Sequence, residues 1–148
     1  MLQNLELVKD KFKEFPRKKL AFFPTPVHKL EKLSEFFGVN LYLKRDDLSG
    51  TIVFSGNKMR KLEYLLGDAI AQGADTVITF GPTQSNHAMQ TVSACRAAGL
   101  KPILYLTTFV DFDENDIRAN MLVDEIMGAE IHIIPSNGEP MFIAYERS

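Results

Sequence analysis

The stretch Ser55-Gly56-Asn57-Lys58-Met59-Arg60-Lys61 introduces a series of apolar residues with helical spacing, Leu62, Leu65, Leu66, Ala69 and Ile70. This spacing predicts that Lys58 lies in the first turn of an amphipathic helix. Positive charge at a helix N-terminus opposes the helix dipole by a few tenths to about 1 kcal/mol when exposed, and Lys58, Arg60 and Lys61 together place three cations there. The stretch is therefore either a solvated basic turn or a binding site for an anion.

The composition is that of a globular chain with a hydrophobic core. The 148 residues are 45% hydrophobic and 24% charged, with a formal net charge of -2. This charge gives no general reason to expect a nucleic acid or an anionic membrane surface as a partner, and no stretch approaches the roughly 20 apolar residues of a membrane-spanning helix. Cys95 is the only cysteine, so no intrachain disulfide can form and we expect a cytoplasmic protein.

The first fifty residues predict short elements separated by prolines and turns. In chain order these are a helix over residues 5–15, an extended segment over 22–26, a helix over 27–37 and a strand over 41–44. The charged triplet Arg45-Asp46-Asp47 follows that strand. Such a triplet can line a binding site, but we favour a salt-bridged corner that shapes the loop.

From Lys58 onward, helices and strands alternate. The pattern predicts a helix over 57–72, a strand over 76–80, a helix over 85–98, a strand over 102–106, a helix over 114–127 and a strand over 131–134. A glycine follows each helix, at Gly73, Gly99 and Gly128. Alternation of this kind predicts an α/β fold in which right-handed crossovers build a parallel sheet, with ligands bound beyond the carboxyl ends of the strands.

A second polar segment, Gln84-Ser85-Asn86-His87, lies at such a strand end and leads into the next helix. A Ser or Asn at a helix start caps the backbone N–H groups, or the same groups can hold a carboxylate or phosphate. Four polar residues at the same edge of the sheet as the Lys58 turn favour a binding site over capping alone. His28 and His132 are interpreted as structural, and no spacing typical of a metal site is found.

Neither common nucleotide-binding loop is present. Five residues separate Gly50 from Gly56, and Met59 follows Lys58 where a Walker A loop requires Ser or Thr. The sequence also contains no Gly-x-Gly-x-x-Gly motif. The pattern therefore argues against a nucleotide-binding fold of either kind.

Three segments together closely resemble the D-cysteine desulfhydrase and 1-aminocyclopropane-1-carboxylate (ACC) deaminase family of pyridoxal-phosphate enzymes. They are Leu-Lys-Arg-Asp-Asp-Leu-Ser-Gly at 43–50, Ser-Gly-Asn-Lys-Met-Arg-Lys-Leu-Glu at 55–63 and Gln-Ser-Asn-His at 84–87. The resemblance implies the tryptophan-synthase-β-like fold, with helices on both faces of a parallel sheet. It implies that residues 1–50 are the N-terminal part of the large domain and residues 51–148 the small domain. Because family members continue well past residue 148, we expect an N-terminal fragment that lacks the C-terminal half of the fold.

The resemblance assigns the cofactor, pyridoxal 5'-phosphate, to the Lys58 turn. Lys58 is implied to form the Schiff base, with Asn57 and Lys61 near the cofactor phosphate and Asn86 beside its 3-hydroxyl group. A lysine attacks an aldehyde only as the neutral amine. Neighbouring cations such as Arg60 and Lys61 favour the neutral amine, which explains why basic residues cluster in this turn.

The resemblance assigns the substrate to the second segment. Ser85, Asn86 and His87, with Gln84 beside them, are implied to bind the carboxylate of a small amino acid, and Ser85 joins Lys58 as a catalytic residue. No metal is expected. The full-length protein is expected to form a homodimer, and the fragment alone to be inactive or weakly active.

The predicted reaction is β-elimination from D-cysteine to pyruvate, ammonia and sulfide. Its basis is Ser85-Asn86-His87, which resembles the desulfhydrase form, whereas ACC deaminases tend to carry Gln in the third place. Pro82 and Thr83 depart from the small and aliphatic residues expected before Gln84. The alternatives are ACC deamination, another pyridoxal-phosphate enzyme of this fold acting on an L-amino acid, and a non-catalytic flavodoxin-like or regulatory module in which Lys58 only solvates a helix start.

Overall fold

A parallel sheet and a small antiparallel sheet organise the chain, whose computed structural model describes residues 2–50, 56–108, 110, 113 and 117–136. The elements are α1 (Leu2–Lys13), β1 (Val27–Lys29), α2 (Glu31–Phe37), β2 (Tyr42–Lys44), a short 3-10 helix (Asp46–Leu48), α3 (Lys58–Ala71), β3 (Thr76–Pro82), α4 (Asn86–Ala98), β4 (Lys101–Thr108), α5 (Ala119–Ile126) and β5 (Glu130–Pro135).

The three later strands form the parallel sheet, in the order β3-β4-β5. The register aligns Phe80 of β3 with Tyr105 of β4, and Tyr105 with His132 of β5. Each strand is longer than the sequence predicts: β3 by two residues at its end, β4 by one at its start and two at its end, and β5 by one at each end. The predicted α/β class and parallel pairing are confirmed.

The helices that contact this sheet pack on one of its faces. Val92 of α4 and Met121 of α5 form a core cluster with Leu104 of β4, while Ile78 and Phe80 on the opposite face are 54% and 50% exposed. In the described residues, the helices therefore cover one face of the β3-β4-β5 sheet and not both. The strand order explains this, because successive right-handed crossovers that advance in one direction place their helices on the same side.

The amphipathic face of α3 forms a second core cluster. Met59, Leu62 and Leu66 are at most 2% exposed and pack with Cys95 of α4 and with Leu20. Burying such side chains stabilises the fold by about 1.5 to 3 kcal/mol each. The sequence-based prediction of an amphipathic helix that begins near Lys58 is confirmed.

Two predicted helices are shorter than expected. Residues 27–29 form β1, which pairs antiparallel with β2 through Val27 and Lys44, so α2 begins only at Glu31. The apolar spacing of Val27 and Leu30 fits a helix, but strand pairing with β2 determines the local structure. The last helix, predicted over 114–127, begins at Ala119 in the described residues, and residues 114–116 lie outside them.

Glu63 of α3 ties the N-terminal segment to the helix. Its side chain is 1% exposed, and Oε1 accepts hydrogen bonds from the backbone N–H groups of Leu20 at 2.8 Å and Ala21 at 2.9 Å. Oε2 accepts one from Arg17 Nε at 2.7 Å. Gly67 permits this approach, because a Cβ there would lie 2.6 Å from the Pro16 carbonyl oxygen. The division of the chain near residue 50 stays a prediction.

Candidate functional site

The first turn of α3 begins at Lys58 without a side-chain cap. Asn57 precedes it with helical backbone angles, φ −57° and ψ −20°, and makes no capping hydrogen bond. Ser55 lies outside the described residues. The Met59 and Arg60 N–H groups instead donate to the backbone carbonyl oxygens of Gly56 at 3.1 Å and Asn57 at 3.3 Å. The helix therefore begins with a cation at the positive end of its dipole and without a side-chain cap, which is an arrangement that suits an anion.

The start of α4 is capped by Ser85. Ser85 is extended, with φ −72° and ψ 117°, and its Oγ accepts a hydrogen bond from the Ala88 N–H at 3.1 Å. Gly81 at the end of β3 permits this position, because a Cβ there would lie 2.8 Å from Ser85 Oγ. The cap uses Ser85 Oγ as an acceptor, so the hydroxyl proton remains available to a ligand.

The two helix starts lie on the same side of the molecule. The pKa of His87 is lowered from 6.5, first by burial and then by the positive charges of Lys61 and Lys58. Gly56 also approaches α4 directly, since a Cβ on it would lie 3.0 Å from Gln90 Nε2. The Lys58 turn and the Ser85–His87 turn therefore lie close together near the carboxyl end of β3, which makes them a candidate site.

His87 lies between two threonine hydroxyl groups. Its Nε2 is 3.4 Å from Thr79 Oγ1 and its Nδ1 is 3.5 Å from Thr91 Oγ1. Thr91 Oγ1 donates a shorter hydrogen bond, of 2.8 Å, to the His87 carbonyl oxygen. Because its pKa is lowered, His87 is a neutral imidazole near pH 7 that can both donate and accept a hydrogen bond.

The third cation of the turn, Arg60, is paired. Its Nε and one terminal nitrogen donate to Asp46 at 2.7 and 2.6 Å, and its guanidinium lies 4.4 Å from the centre of the Phe23 ring. This pairing lowers the pKa of Asp46 to about 2. Arg45 pairs with Asp47 at 2.6 Å, so the predicted salt-bridged corner is confirmed.

This pairing distinguishes Arg60 from the two lysines of the turn. The carboxylate of Asp46 compensates the charge of Arg60, so Arg60 disfavours the charged form of a neighbour less than an unpaired cation does. In the part of the chain that the structure describes, neither Lys58 nor Lys61 has an acidic partner within ion-pair distance. Lys61 is thus a cation of the turn that is available to a bound anion beside Lys58.

The side chains of Gln84 and Asn86 are held by the start of α5. Asn120 Nδ2 donates to Asn86 Oδ1 at 2.8 Å and to the Gln84 carbonyl oxygen at 3.1 Å. Gln84 Oε1 accepts from the Asn120 N–H at 2.9 Å, and Gln84 Nε2 donates to the Arg118 carbonyl oxygen at 3.1 Å. Both ends of the Gln84 amide are occupied, which favours a role in holding the loop over direct contact with a ligand.

Three residues at or beside this site are not identified from the sequence. Asn120 lies more than thirty residues beyond the loop it holds, and Thr79 approaches His87 from the strand. Gln90 is 6% exposed, and its Oε1 has no hydrogen-bond partner. Local motifs contain no signal for these contacts, because each depends on how β3, α4 and α5 pack.

Comparison with known proteins decides the family. A sequence profile described as "Pyridoxal-phosphate dependent enzyme" matches residues 18–146. The chain belongs to this family. Pyridoxal 5'-phosphate is its cofactor, and the resemblance that the sequence motifs carry is confirmed.

Several relatives of this pyridoxal-phosphate-dependent chain are named as ACC deaminases. It is 51% identical over 112 residues to a putative ACC deaminase of Thermotoga maritima, covering 76% of this chain and 34% of the relative. It is 41% identical over 124 residues to the ACC deaminase of Burkholderia vietnamiensis, covering 81% and 37%. A crystal structure of an ACC deaminase homologue matches with a TM-score of 0.80 and 39% identity, over 95% of this chain and 41% of that one. The chain spans little more than a third of these proteins.

The residues present fit the cofactor of the family. Pyridoxal phosphate needs an amine for its aldehyde and positive or N–H groups for its phosphate. Lys58 is an amine without an acidic partner in the described residues, the start of α3 has no side-chain cap, and Lys61 lies in the same turn. The unpartnered Gln90 Oε1 beside Gly56 is a further polar atom at this turn.

Two searches of the described residues are negative. Among those residues, no helix is long and apolar enough to span a membrane, and no cluster of three or more His, Cys, Asp or Glu side chains could hold a metal ion.

Proposed function

We propose that the protein is a pyridoxal-phosphate-dependent lyase that removes ammonia from a small amino acid, and that its substrate is D-cysteine. With water, D-cysteine gives pyruvate, ammonia and sulfide. The observation that supports this most directly is that the Lys58 turn adjoins α4, with Gly56 against Gln90, and that Lys61 and Lys58 are near enough to His87 to lower its pKa. One site thereby offers an amine for an aldehyde and a polar loop for a carboxylate.

Lys58 and Lys61 would hold the cofactor. The Lys58 amine would bind the cofactor aldehyde, while Lys61 and the positive end of the α3 dipole would hold the phosphate, with Asn57 at the edge of that turn. When bound, the cofactor supplies an electron-withdrawing ring that weakens the bonds at the substrate Cα.

Ser85 and His87 would orient the substrate. Ser85 Oγ already accepts from Ala88 N–H, so its hydroxyl can donate to a substrate carboxylate oxygen while the helix N–H groups beyond it donate to the other. His87 is neutral, and its contacts with Thr79 at 3.4 Å and Thr91 at 3.5 Å are long, so one of them would give way to a hydrogen bond donated to the carboxylate without adding a charge. Fixing the carboxylate in this way holds the bonds at Cα in one orientation, which lowers the entropic part of the barrier.

ACC deamination is the second candidate, because the relatives that share 40 to 51% identity carry that name. The two reactions share the cofactor and the carboxylate site. They differ in which bond of the substrate is broken. His87, in place of the Gln that we expect in an ACC deaminase, is the feature that favours D-cysteine.

The test is an assay of the full-length protein with D-cysteine, L-cysteine and ACC. Release of sulfide from D-cysteine that is abolished in Lys58→Ala, and retained in the exposed-lysine control Lys32→Ala, supports the proposal. Ammonia from ACC without sulfide from D-cysteine assigns the second candidate instead. Turnover of L-cysteine alone, or no Lys58-dependent turnover, overturns both.

We further propose that residues 1–50 and 51–148 belong to the large and small domains, and that the full-length protein is a cytoplasmic homodimer. Support for the domain division comes from the separate sheets, β1-β2 and β3-β4-β5. Sedimentation of the full-length protein tests the dimer, and a monomer at micromolar concentration would contradict it.

A further inference from the structure

Asn120 fixes the orientation of the Asn86 side-chain amide. The oxygen and nitrogen of an amide are distinguished by their partners. Here the Gln84 backbone carbonyl can only accept, so the Asn120 atom 3.1 Å from it is the nitrogen, Nδ2. The Asn86 atom 2.8 Å from that same nitrogen must accept, and is therefore Oδ1. This leaves Asn86 Nδ2 as the free end, with no acceptor among the described residues.

The position of Asn120 is itself fixed by the fold. Asn120 follows Ala119, which has a positive φ of 51°, a conformation that non-glycine residues adopt only where the surroundings hold it. Met121, the next residue, is 4% exposed in the core cluster under β4. The Asn120 N–H also binds Gln84 Oε1 at 2.9 Å. The start of α5 is thus anchored to the sheet and holds the 84–86 loop from outside the site.

We propose that Asn120 is a positioning residue, which turns the Asn86 amide so that Nδ2 donates to an oxygen of the bound ligand. The inference rests on the proposed function in taking that ligand to be pyridoxal phosphate or the substrate carried by it. The cofactor and the substrate each offer an oxygen acceptor: the cofactor has its 3-oxygen, and the substrate has its carboxylate. Without Asn120, no contact among the described residues holds the Asn86 amide, and it also adopts the reverse orientation, in which Oδ1 faces the ligand oxygen and repels it.

The variant Asn120→Asp tests this role, because it keeps the shape of the side chain and removes the Nδ2 donor. We expect the affinity of the chain for pyridoxal phosphate to fall about tenfold, the effect of losing one favourable hydrogen bond. Asn40→Asp, an exposed substitution with the same change of charge, is the matched control and should leave the affinity unchanged. D-alanine, a small D-amino acid, serves as the probe of the carboxylate site. If the cofactor affinity is unchanged and only the affinity of the cofactor-loaded chain for D-alanine falls, the acceptor is the substrate carboxylate.

A double-mutant comparison separates positioning from a structural effect. If Asn120 acts through Asn86, the Asn120→Asp substitution has no further effect on affinity in an Asn86→Ala chain. Equal losses with and without the Asn86 side chain, or no loss for either ligand, overturn the inference.

A measurement on the free chain distinguishes failure of this inference from failure of the proposed function. The side-chain amide resonances of Asn86 should shift in Asn120→Asp and not in Asn40→Asp, whether or not a cofactor binds. If pyridoxal phosphate does not bind through Lys58, the proposed function fails while the shift persists. If the resonances do not shift, the positioning role itself is wrong.

Discussion

The starts of α3 and α4 lie side by side and are built in opposite ways. α4 begins with Ser85, a neutral residue that caps its own helix through the 3.1 Å bond from Ala88 N–H. α3 begins with Lys58 and has no side-chain cap. One helix start is stable by itself, and the other carries positive charge where the helix dipole disfavours it.

The difference indicates which start is shaped for chemistry. The unfavourable charge at α3 is compensated in part from another segment, because Asp46 pairs with Arg60. Lys58 and Lys61 are left without acidic partners in the described residues and are therefore available to an anionic cofactor. The α4 start needs no such compensation, because Ser85 caps it, and the proposed function assigns its polar side chains to the substrate.

The largest expected effect on the free energy of unfolding comes from Asp124. Its pH dependence must be known before the stabilities of the two helix starts are compared at different pH values. Its side chain is 1% exposed, neither oxygen has a partner, and burial raises its pKa from 3.8 to about 7. The unfolded chain loses this proton near pH 4 and the folded chain near pH 7, so stability falls as the pH rises between them, by about 4 kcal/mol at about 1.36 kcal/mol per pKa unit.

The substitution Asp124→Asn should remove this pH dependence in urea unfolding from pH 4 to pH 8. Asp75→Asn, which neutralises an exposed acid, should leave the pH dependence in place. Stability of the unsubstituted chain that stays constant over this range would contradict the protonated state of Asp124.

The next effect tests the compensation at α3. Asp46→Asn leaves Arg60 unpaired in the first turn and should lower the free energy of unfolding at pH 7 by between about 1 and 2 kcal/mol, a range limited by the partial exposure of the pair. Because the pKa of Asp46 is lowered to about 2, its contribution is present above about pH 4 and is lost as the pH falls toward 2.

Asp47→Asn is the matched control for Asp46→Asn. Asp47 pairs with Arg45, two residues away in the same corner, so the loss of stability should be smaller. An equal or greater loss for Asp47→Asn would show that Asp46 does not compensate the start of α3.

The third effect has opposite signs at the two helix starts. Ser85→Ala removes the cap of α4 and should lower the free energy of unfolding by about 1 kcal/mol. Lys58→Met removes a cation from the start of α3 and should raise it by a few tenths to about 1 kcal/mol at low salt, declining as salt is added. Denaturant unfolding of the cofactor-free chain measures both, and a loss of stability in Lys58→Met would contradict the proposed contrast.

The smallest expected effect is a change in the pKa of His87, which reports the distance between the starts of α3 and α4. Because the charges of Lys61 and Lys58 lower the pKa of His87, Lys61→Ala and Lys58→Met should each raise that pKa toward 6.5. Burial is the larger cause, so the value should stay below 6.5. An NMR titration of the His87 ring measures this, with Lys32→Ala as control, and an unchanged pKa in both variants would place the lysines too far from His87 to share a site.

Most of the later fold is predictable from the sequence because its signals are local. Glycines mark helix ends, and Gly99 takes the left-handed conformation, φ 82°, that ends α4. The apolar spacing after Lys58 likewise predicts the buried face of α3. By contrast, β1 is predicted as helix, because its pairing with β2 is not visible in its own residues.

The interior of the site was predictable only in part. The motifs around Lys58 and Ser85 are contiguous in the sequence, so they can be identified without the structure. Asn120, which holds their loop, and Asp46, which pairs with Arg60, act across 34 and 14 residues of sequence. Such partners are determined by tertiary packing, as is the one-sided placement of the helices on the sheet.

The most direct test of the central claim is reductive trapping of pyridoxal phosphate. The chain is incubated with the cofactor, reduced with borohydride, digested and mapped by mass spectrometry. If Lys58 is the amine that takes the cofactor aldehyde, the label will lie on the peptide that contains Lys58 and will be lost in Lys58→Met. Label spread over exposed lysines, or unchanged labelling of the Lys58→Met chain, would contradict the account.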